Sequence, residues 1–311
     1  MFHALGGLPA PLATAQLQPP RAGGGLRAAP SSAGAAASTA EAGGFAAAAA
    51  AALGRRPKAT QDSVFRWLGK VLRQRWGQEV LDAGTGPDSL GWLKRQTAEK
   101  APAVTAVTAC EGMYATMEDE VFQFLSPQDQ VLLGNWQDES FLKDRTFDVV
   151  LADYLLGSVE HFAPYFQVGL LRRLVGLVKE EGLLVLVGKE PQEPGATASA
   201  EASRAAELVA DAENFRDAVM VLGRQRSYRE MPRAWVARQL WGLGLELLAG
   251  RRFPRKLSPE KVERNLAWAE EELAHVDNAL RPDLVRHLAR LRARLQHCPL
   301  SGLTFGRGAG R

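Results

Sequence analysis

The feature that most constrains the fold is a short apolar run that ends in an acid and leads into two closely spaced glycines. Residues 79–86 have the sequence EVLDAGTG, and Pro87 follows directly. An apolar run of this length bounded by glycine predicts a buried strand, and a proline at this point is typical of a first helical turn. Glycines let a ligand approach the backbone, and a helix start offers unpaired N–H groups. The segment therefore predicts a strand–turn–helix unit that can hold a nucleotide-like ligand.

Apolar runs of the same kind recur along the chain and alternate with segments of helical periodicity. The predicted strands of this alternation are 79–83, 103–109, 130–134, 147–152 and 183–187. Near-continuous apolar strands of this kind are what a parallel sheet covered on both faces requires. We therefore predict an α/β fold with a doubly wound, mostly parallel, seven-stranded Rossmann-like sheet and additional C-terminal helices. Residues 245–249 and 303–305 are its last predicted strands.

The first 58 residues differ in composition from the rest. They are rich in Ala, Gly, Pro and Ser, and they contain Glu41 as their single acid. Such a segment buries too little apolar surface to offset its ordering entropy, and its acid-poor composition also suits a transit peptide. We predict a disordered low-complexity tail or a transit peptide at 1–58. The transit peptide would place the protein in a plastid or mitochondrion, and the tail would leave it in the cytoplasm.

The remaining residues, 59–311, are predicted to form one catalytic domain with helical insertions at about 196–222 and 258–297. These insertions exceed what the sheet needs, so a lid, a packing role or a dimer contact are all open. Within the same third of the chain, Trp241 is predicted to lie in the core.

Charge and cysteine content exclude several classes of function. The formal net charge is +3, and residues 1–58 contribute +4, which leaves about −1 for the remainder. A near-neutral folded part argues against a nucleic-acid partner. The two cysteines, Cys110 and Cys298, form no Cys-x-x-Cys pair, so we expect neither a disulfide framework nor a metal site. The sequence has no apolar run long enough for a membrane span, and we expect no membrane partner.

In a doubly wound fold, ligands bind beyond the carboxyl ends of the strands. The residues that follow the five strands are therefore the candidate site. They are Gly84–Gly86, Glu111, Asn135-Trp136, Asp153-Tyr154 and Gly188-Lys189-Glu190.

Two acids indicate which ligand the turn holds. A dinucleotide fingerprint has a third glycine at the sixth position of the turn, where this chain has Ser89. Asp82 is unfavourable beside a pyrophosphate but suits a cationic amino-acid ligand. Glu111, after the second strand, can accept hydrogen bonds from both ribose hydroxyls of an adenosine. An NAD(P)-dependent Rossmann oxidoreductase remains the alternative.

With these residues in place, the chain resembles the class I S-adenosylmethionine-dependent methyltransferases from about residue 61 to 190. Residues 80–86 match the first motif of that family, although Asp88 stands where a third glycine is frequent. Glu111 falls at the position of the ribose-binding acid, and Asn135-Trp136 falls where the family contacts the adenine. Residues 147–154 resemble the fourth motif, whose end faces the transferring methyl group.

The resemblance implies S-adenosylmethionine as the cofactor. The cofactor-binding residues that it implies are Asp82, Gly84, Thr85, Gly86, Glu111, Asn135, Trp136 and Asp153. Methyl transfer mainly needs a positioned nucleophile and, for some acceptors, a base. We therefore take Asp153, Tyr154 and His161 as catalytic candidates. Histidine exchanges protons near neutral pH, and a tyrosine ring can face a sulfonium. The alternative is that His161 and Tyr154 only pack the structure.

We accordingly predict a soluble S-adenosylmethionine-dependent methyltransferase that transfers a methyl group to a small-molecule acceptor. A non-catalytic S-adenosylmethionine-binding scaffold is a further alternative. The acceptor and the oligomeric state do not follow from the sequence.

Overall fold

The computed structural model describes residues 13–17, 63–191, 200–253, 255–256, 258–298, 300 and 304–305. For 13–17, 200–202, 255–256 and 304–305 it describes the backbone alone. Most of the segment 1–58 lies outside the described residues, so the tail and the transit peptide stay predictions. No helix in the described ranges is both long and apolar enough to cross a membrane.

In the described ranges, nine strands form one large sheet and one small ribbon. They are β1 (Ala13–Leu17), β2 (Glu79–Asp82), β3 (Ala103–Thr108), β4 (Gln130–Leu133), β5 (Phe147–Asp153), β6 (Val178–Val187), β7 (Leu245–Gly250), β8 (Arg255–Lys256) and β9 (Thr304–Phe305). In the large sheet the order is β4-β3-β2-β5-β6-β1-β7. The pairs from β4 through β6 are all parallel. An α/β fold with a mostly parallel sheet is thereby confirmed, and β2, which leads into the glycine turn, is central.

The far edge of the sheet differs from the prediction. β7 lies where a sixth strand is predicted, but β9 pairs antiparallel with β8 in the separate ribbon and does not join the large sheet. β1 lies instead between β6 and β7, antiparallel to both. The sequence at 303–305 is sufficient to predict a strand, but so short a segment does not determine which strand it pairs with.

Nine helices are present in the described part of the chain. They are α1 (Ser63–Leu72), α2 (Pro87–Gln96), α3 (Glu111–Glu120), α4 (Leu155–Phe162), α5 (Gln167–Gly176), α6 (Ala200–Leu222), α7 (Arg233–Gly242), α8 (Pro259–Glu272) and α9 (Arg281–Gln296). Side chains of α1, α2 and α3 form one hydrophobic core with the sheet, and those of α4, α5 and α7 form another. The sheet is thus covered by helices on both faces.

The three remaining helices, α6, α8 and α9, share a hydrophobic core of their own. They fall within the two stretches predicted as helical insertions. The prediction for Trp241 is wrong, because this side chain at the end of α7 is 80% exposed. Its helix buries Val236 and Leu240 instead, which are four residues apart and share one face.

The chain between β5 and β6 also differs from the prediction. The recurrence of apolar residues from Phe166 to Val178 predicts one amphipathic helix at 165–179 with a glycine cap at Gly182. α5 lies within that range but ends at Gly176, and a further helix, α4, precedes it. β6 begins at Val178 and runs through Gly182, with a register shift against β5. A Cβ on Gly182 would lie 3.0 Å from the carbonyl oxygens of Asp148 and Lys179, so this glycine allows close backbone packing within the strand.

Candidate functional site

The turn after β2 is held in place by its neighbours in the sheet. The Ala83 N–H donates to the Leu151 carbonyl of β5 at 2.7 Å, and the Thr85 N–H donates to the Val107 carbonyl of β3 at 2.8 Å. On the remaining side, the indole N–H of Trp136 donates to the Ala83 carbonyl at 2.9 Å. The backbone of the turn is therefore fixed before any ligand binds.

Asp82, at the end of β2, is a fully buried acid. The Ser89 hydroxyl donates to Oδ2 at 3.0 Å, whereas Oδ1 has no hydrogen-bond partner among the described residues. The pKa of Asp82 is raised to about 7, chiefly by burial and in smaller part by the nearby Asp153, and against the opposing effects of the Thr85 and Ser89 side chains and the Gly84 backbone N–H. The Thr85 hydroxyl makes no hydrogen bond of ordinary geometry within the described structure. A buried carboxylate oxygen without a donor is costly, so this atom is suited to a ligand donor or cation.

Ser89 connects the acid to the start of α2. Its hydroxyl oxygen accepts from the Gly86 N–H at 3.1 Å while its proton is directed to Asp82. Gly86 is the N-cap residue of this helix, and Pro87 occupies the first turn. In the sequence, Ser89 is notable only because it stands where a dinucleotide fingerprint has its third glycine. In the structure, it is the hydrogen-bond partner of the buried Asp82 carboxylate. Its position three residues after an N-cap is the signal that could have found it.

The two glycines of the turn face different surroundings. A Cβ on Gly84 would lie 2.8 Å from the Cβ of Leu155, at the start of α4. A Cβ on Gly86 would meet only the sulfur of Met113, at an ordinary 3.5 Å. Gly84 is thus required for packing against α4, and Gly86 leaves open space above the turn.

Two further predicted residues lie at the ends of the strands that flank β2. Asp153 ends β5, close enough to Asp82 to raise its pKa. Glu111 is an exposed residue at the first position of α3, just beyond β3. The structure therefore brings Asp82, Asp153 and Glu111 to the same edge of the sheet.

Tyr154 and His161 lie at opposite ends of α4. Tyr154 is the N-cap residue, is 40% exposed, and has a left-handed backbone with φ of 55°. Such a conformation is uncommon for a non-glycine residue and orients the residue at the tip of β5. His161 lies seven residues further on, about 10 Å along the helix axis. The two catalytic candidates are therefore separated, and only Tyr154 adjoins the acids.

The His161 ring is held by the segment that connects α6 to α7. Its Nδ1 lies 2.8 Å from the Arg226 carbonyl oxygen, so Nδ1 carries the proton and Nε2 is left as the acceptor in the neutral ring. The ring of Tyr228 packs edge-on against it, with centroids 6.1 Å apart, and Tyr228 lies at the same distance from Trp268 of α8. Partial burial, and then the negative charge that the nearby Cys110 side chain carries when ionised, raise the pKa of Tyr228. Tyr228 thus reaches from α4 towards the end of β3.

Asn135 and Trp136, which follow β4, have structural contacts of their own. The Asn135 amide donates to the Phe162 carbonyl at 2.9 Å, and its oxygen accepts from the Gln137 N–H at 3.0 Å. Trp136 is 3% exposed and packs edge-on against Phe141. Both residues therefore contact other protein groups and help to hold the backbone around the site.

Lys189, which follows β6, links the sheet to the C-terminal helices. It pairs with Glu213 of α6 at 3.1 Å and with Glu230. The sequence places Lys189 at the ligand edge, and the structure gives it a bridging role there between the sheet and the helices.

Fold and site together define a doubly wound, Rossmann-like α/β protein with its candidate site at the carboxyl ends of the strands. The order β4-β3-β2-β5-β6 places the glycine turn at the point where the strand order reverses, which is where such folds bind ligands.

No family model and no curated protein matches the chain. Solved structures do resemble it. A candidate methyltransferase from Bacillus halodurans C-125 is 17% identical with a TM-score of 0.49, over 72% of this chain and 83% of that chain. The YcgJ protein from Bacillus subtilis is 16% identical with a TM-score of 0.49, over 70% and 86%. The cyclopropane synthase MmaA2 from Mycobacterium tuberculosis is 16% identical with a TM-score of 0.44, over 76% and 80%. The likeness concerns the fold and says nothing about what this chain acts on.

Proposed function

We propose that the chain is an S-adenosylmethionine-dependent methyltransferase that acts on a small molecule. The observation that carries this proposal is the fully buried Asp82, with one carboxylate oxygen that lacks a donor, beside Asp153 at the same sheet edge. Two acids at the tips of adjacent strands favour a ligand that carries positive charge. S-adenosylmethionine has both an ammonium and a sulfonium group.

The residues around the turn fit this cofactor. Gly86 leaves room above the turn, and Glu111 presents an exposed carboxylate to accept from ribose hydroxyls. In the proposal, Asp82, Gly84, Thr85 and Asp153 surround the amino-acid end of the cofactor. The cofactor supplies an electrophilic methyl group, and the chain binds and orients the two reactants. In the proposal, Asn135 and Trp136 lie at the adenine end of the cofactor. The effect of Trp136 there is indirect, because its indole N–H donates to the Ala83 carbonyl and so holds the turn.

The same acids argue against a nicotinamide cofactor. A pyrophosphate at this turn would lie beside Asp82 and Asp153, and its charge would be repelled by both. No cation of the described structure is paired with Asp82 to offset that repulsion.

The acceptor side of the proposed site lies between α4 and the C-terminal helices. Tyr154 is at its cofactor end, and His161, Tyr228 and Trp268 form an aromatic wall further along. Nε2 of His161 is the proton acceptor that this wall offers. Because His161 is about 10 Å from Tyr154 along α4, it serves as a base only for an acceptor that spans this distance.

Titration calorimetry tests the cofactor assignment. S-adenosylmethionine should bind and NAD should not, and Glu111→Gln should weaken S-adenosylmethionine binding about tenfold through the loss of charged hydrogen bonds. Glu118→Gln, an exposed acid two turns further along α3, is the matched control and should leave affinity unchanged. Binding of NAD in preference to S-adenosylmethionine would refute the proposal.

The acceptor class is tested with S-adenosylmethionine that carries a tritiated methyl group. Incubation with a metabolite extract filtered below about 1 kDa, a size suited to small ligands, should give label in the small-molecule fraction. Label that appears only in added protein or nucleic acid would exclude a small-molecule acceptor. His161→Gln should reduce the transfer without changing cofactor affinity.

A further inference from the structure

A cavity lies between α1 and α2, away from the strand ends. Its volume is about 390 Å³, within the usual range of small-ligand pockets. Four cations line it: Arg66 and Lys70 from α1, Arg73 from the turn directly after α1, and Arg95 from α2. No acid is among its lining residues. We refer to it as the basic cavity.

The positions of the cations follow from helix geometry. Arg66 and Lys70 are four residues apart and share one face of α1, and Arg73 follows three residues later, in the turn after the helix; all three are exposed. Gly69 lies beside them and leaves the space that a side chain would occupy. Arg95, on the last turn of α2, approaches them from the other side. Three exposed cations from α1 and the turn after it, and the half-buried Arg95 from α2, thus border one space.

None of these four cations has an ion pair among the described residues, whereas Lys94, next to Arg95 on the same helix, pairs with Asp129 at 2.5 Å. Arg95 is half-buried, and burial lowers its pKa, an effect that Asp88 partly offsets. A desolvated guanidinium without a close counter-charge gains most from a bound anion.

The inner wall of the basic cavity is aromatic and rigid. Phe65 and Trp92 are stacked, with centroids 4.9 Å apart, and both are buried in the core below. The cavity therefore has a fixed apolar wall and a cationic rim. Arginine forks are well matched to phosphate oxygens, and four converging charges favour a ligand with more than one negative charge.

We propose that the basic cavity binds a small anion that carries phosphate groups. It is separate from the cofactor site. Ser89 and Arg95 lie on the same helix, about 9 Å apart along its axis, so the two sites occupy opposite ends of α2.

Calorimetry with inorganic pyrophosphate and the full chain tests this proposal. The triple variant Arg66→Gln/Lys70→Gln/Arg73→Gln should weaken pyrophosphate binding at least tenfold and leave the affinity for S-adenosylmethionine unchanged. The matched control removes three exposed arginines elsewhere, Arg238, Arg264 and Arg290, each changed to Gln. It should retain pyrophosphate binding.

A charge-conserving variant tests the cavity itself. In Gly69→Leu a side chain enters the space while all four cations remain, and the nearest obstacle to its Cβ is the flexible end of Gln96 at 2.7 Å. This variant should also lose pyrophosphate binding, with its melting temperature checked by circular dichroism.

Three results would overturn the proposal: no pyrophosphate binding, equal weakening in both triple variants, or full binding by Gly69→Leu. Adsorption to phosphatidylglycerol vesicles without pyrophosphate binding would also overturn it, because a flat anionic surface needs no cavity. Since cofactor affinity is measured separately, failure here leaves the methyltransferase proposal untouched.

Discussion

Replacing Asp82 with asparagine should stabilise the ligand-free protein at alkaline pH. Burial raises the pKa of this acid from 3.8 to about 7 in the folded state. A raised folded-state pKa means that the unfolded chain loses the proton first as pH rises. The contribution to stability is therefore largest below pH 3.8, declines between pH 3.8 and about 7, and is constant above it.

The size of the effect follows from the same shift. Each pKa unit corresponds to about 1.4 kcal/mol, so ionising Asp82 in the folded protein costs about 4 kcal/mol at pH 8. At pH 5 most of the native protein still holds the proton, and between pH 5 and pH 8 the cost rises by about 3 kcal/mol. The asparagine side chain of the variant does not ionise, so the variant should lack this change.

Urea unfolding of the wild type and Asp82→Asn at both pH values measures the difference. The free energy of unfolding of the variant relative to the wild type should increase by about 3 kcal/mol from pH 5 to pH 8. Asp88→Asn, an exposed acid on the adjoining helix turn, should show no such increase. The same Asp82→Asn variant should bind S-adenosylmethionine more weakly, because a neutral amide does not balance its ammonium. An equal effect of the substitution at both pH values would refute the assignment of a buried, reluctantly ionised acid.

Two further substitutions test the packing of the site and its helix. Gly84→Ala should lower the melting temperature, because its Cβ would lie 2.8 Å from the Leu155 Cβ. Gly86→Ala should keep the wild-type melting temperature and lose cofactor affinity. A lower melting temperature for Gly86→Ala than for Gly84→Ala would contradict this. Lys94→Met should lower the free energy of unfolding, measured with urea, by about 3 kcal/mol, because it removes the partner of the buried Asp129 carboxylate. A decrease below about 1 kcal/mol would show that the backbone donors of Asp129 are sufficient to stabilise its charge.

The parallel part of the sheet can be predicted from the sequence because its strands are short apolar runs that are easily recognised. Parallel strands inside a covered sheet are near-continuous apolar runs, as at 79–82, 103–108 and 147–153. The edge strand 130–133 is only partly buried but has the same kind of sequence, and turns or polar residues bound all four runs. The same rule assigns their carboxyl ends to the ligand edge, so Asp82, Glu111 and Asp153 could be placed together from sequence alone.

The short elements escape that reasoning. α4 has only eight residues, too few to establish a helical period, and its N-cap residue, Tyr154, has a left-handed backbone that no pattern in the sequence specifies. The ribbon of β8 and β9 has two residues in each strand, and its pairing depends on chain geometry beyond either segment. Both features differ from the prediction because periodicity carries information only over several turns.

The contacts that support the site depend on strand order, which periodicity does not determine. Trp136 follows the edge strand β4, yet its indole reaches across β3 to the carbonyl of Ala83, 53 residues earlier. From the sequence, an aromatic residue after a strand suggests a ligand contact, because the strand end is where ligands bind. Once the order β4-β3-β2 is known, the same residue lies beside the turn and donates to it. Trp136→Phe should therefore lower stability by about 1–3 kcal/mol, as expected when a buried carbonyl loses its donor, and affinity for the cofactor should fall as a consequence of the loosened turn.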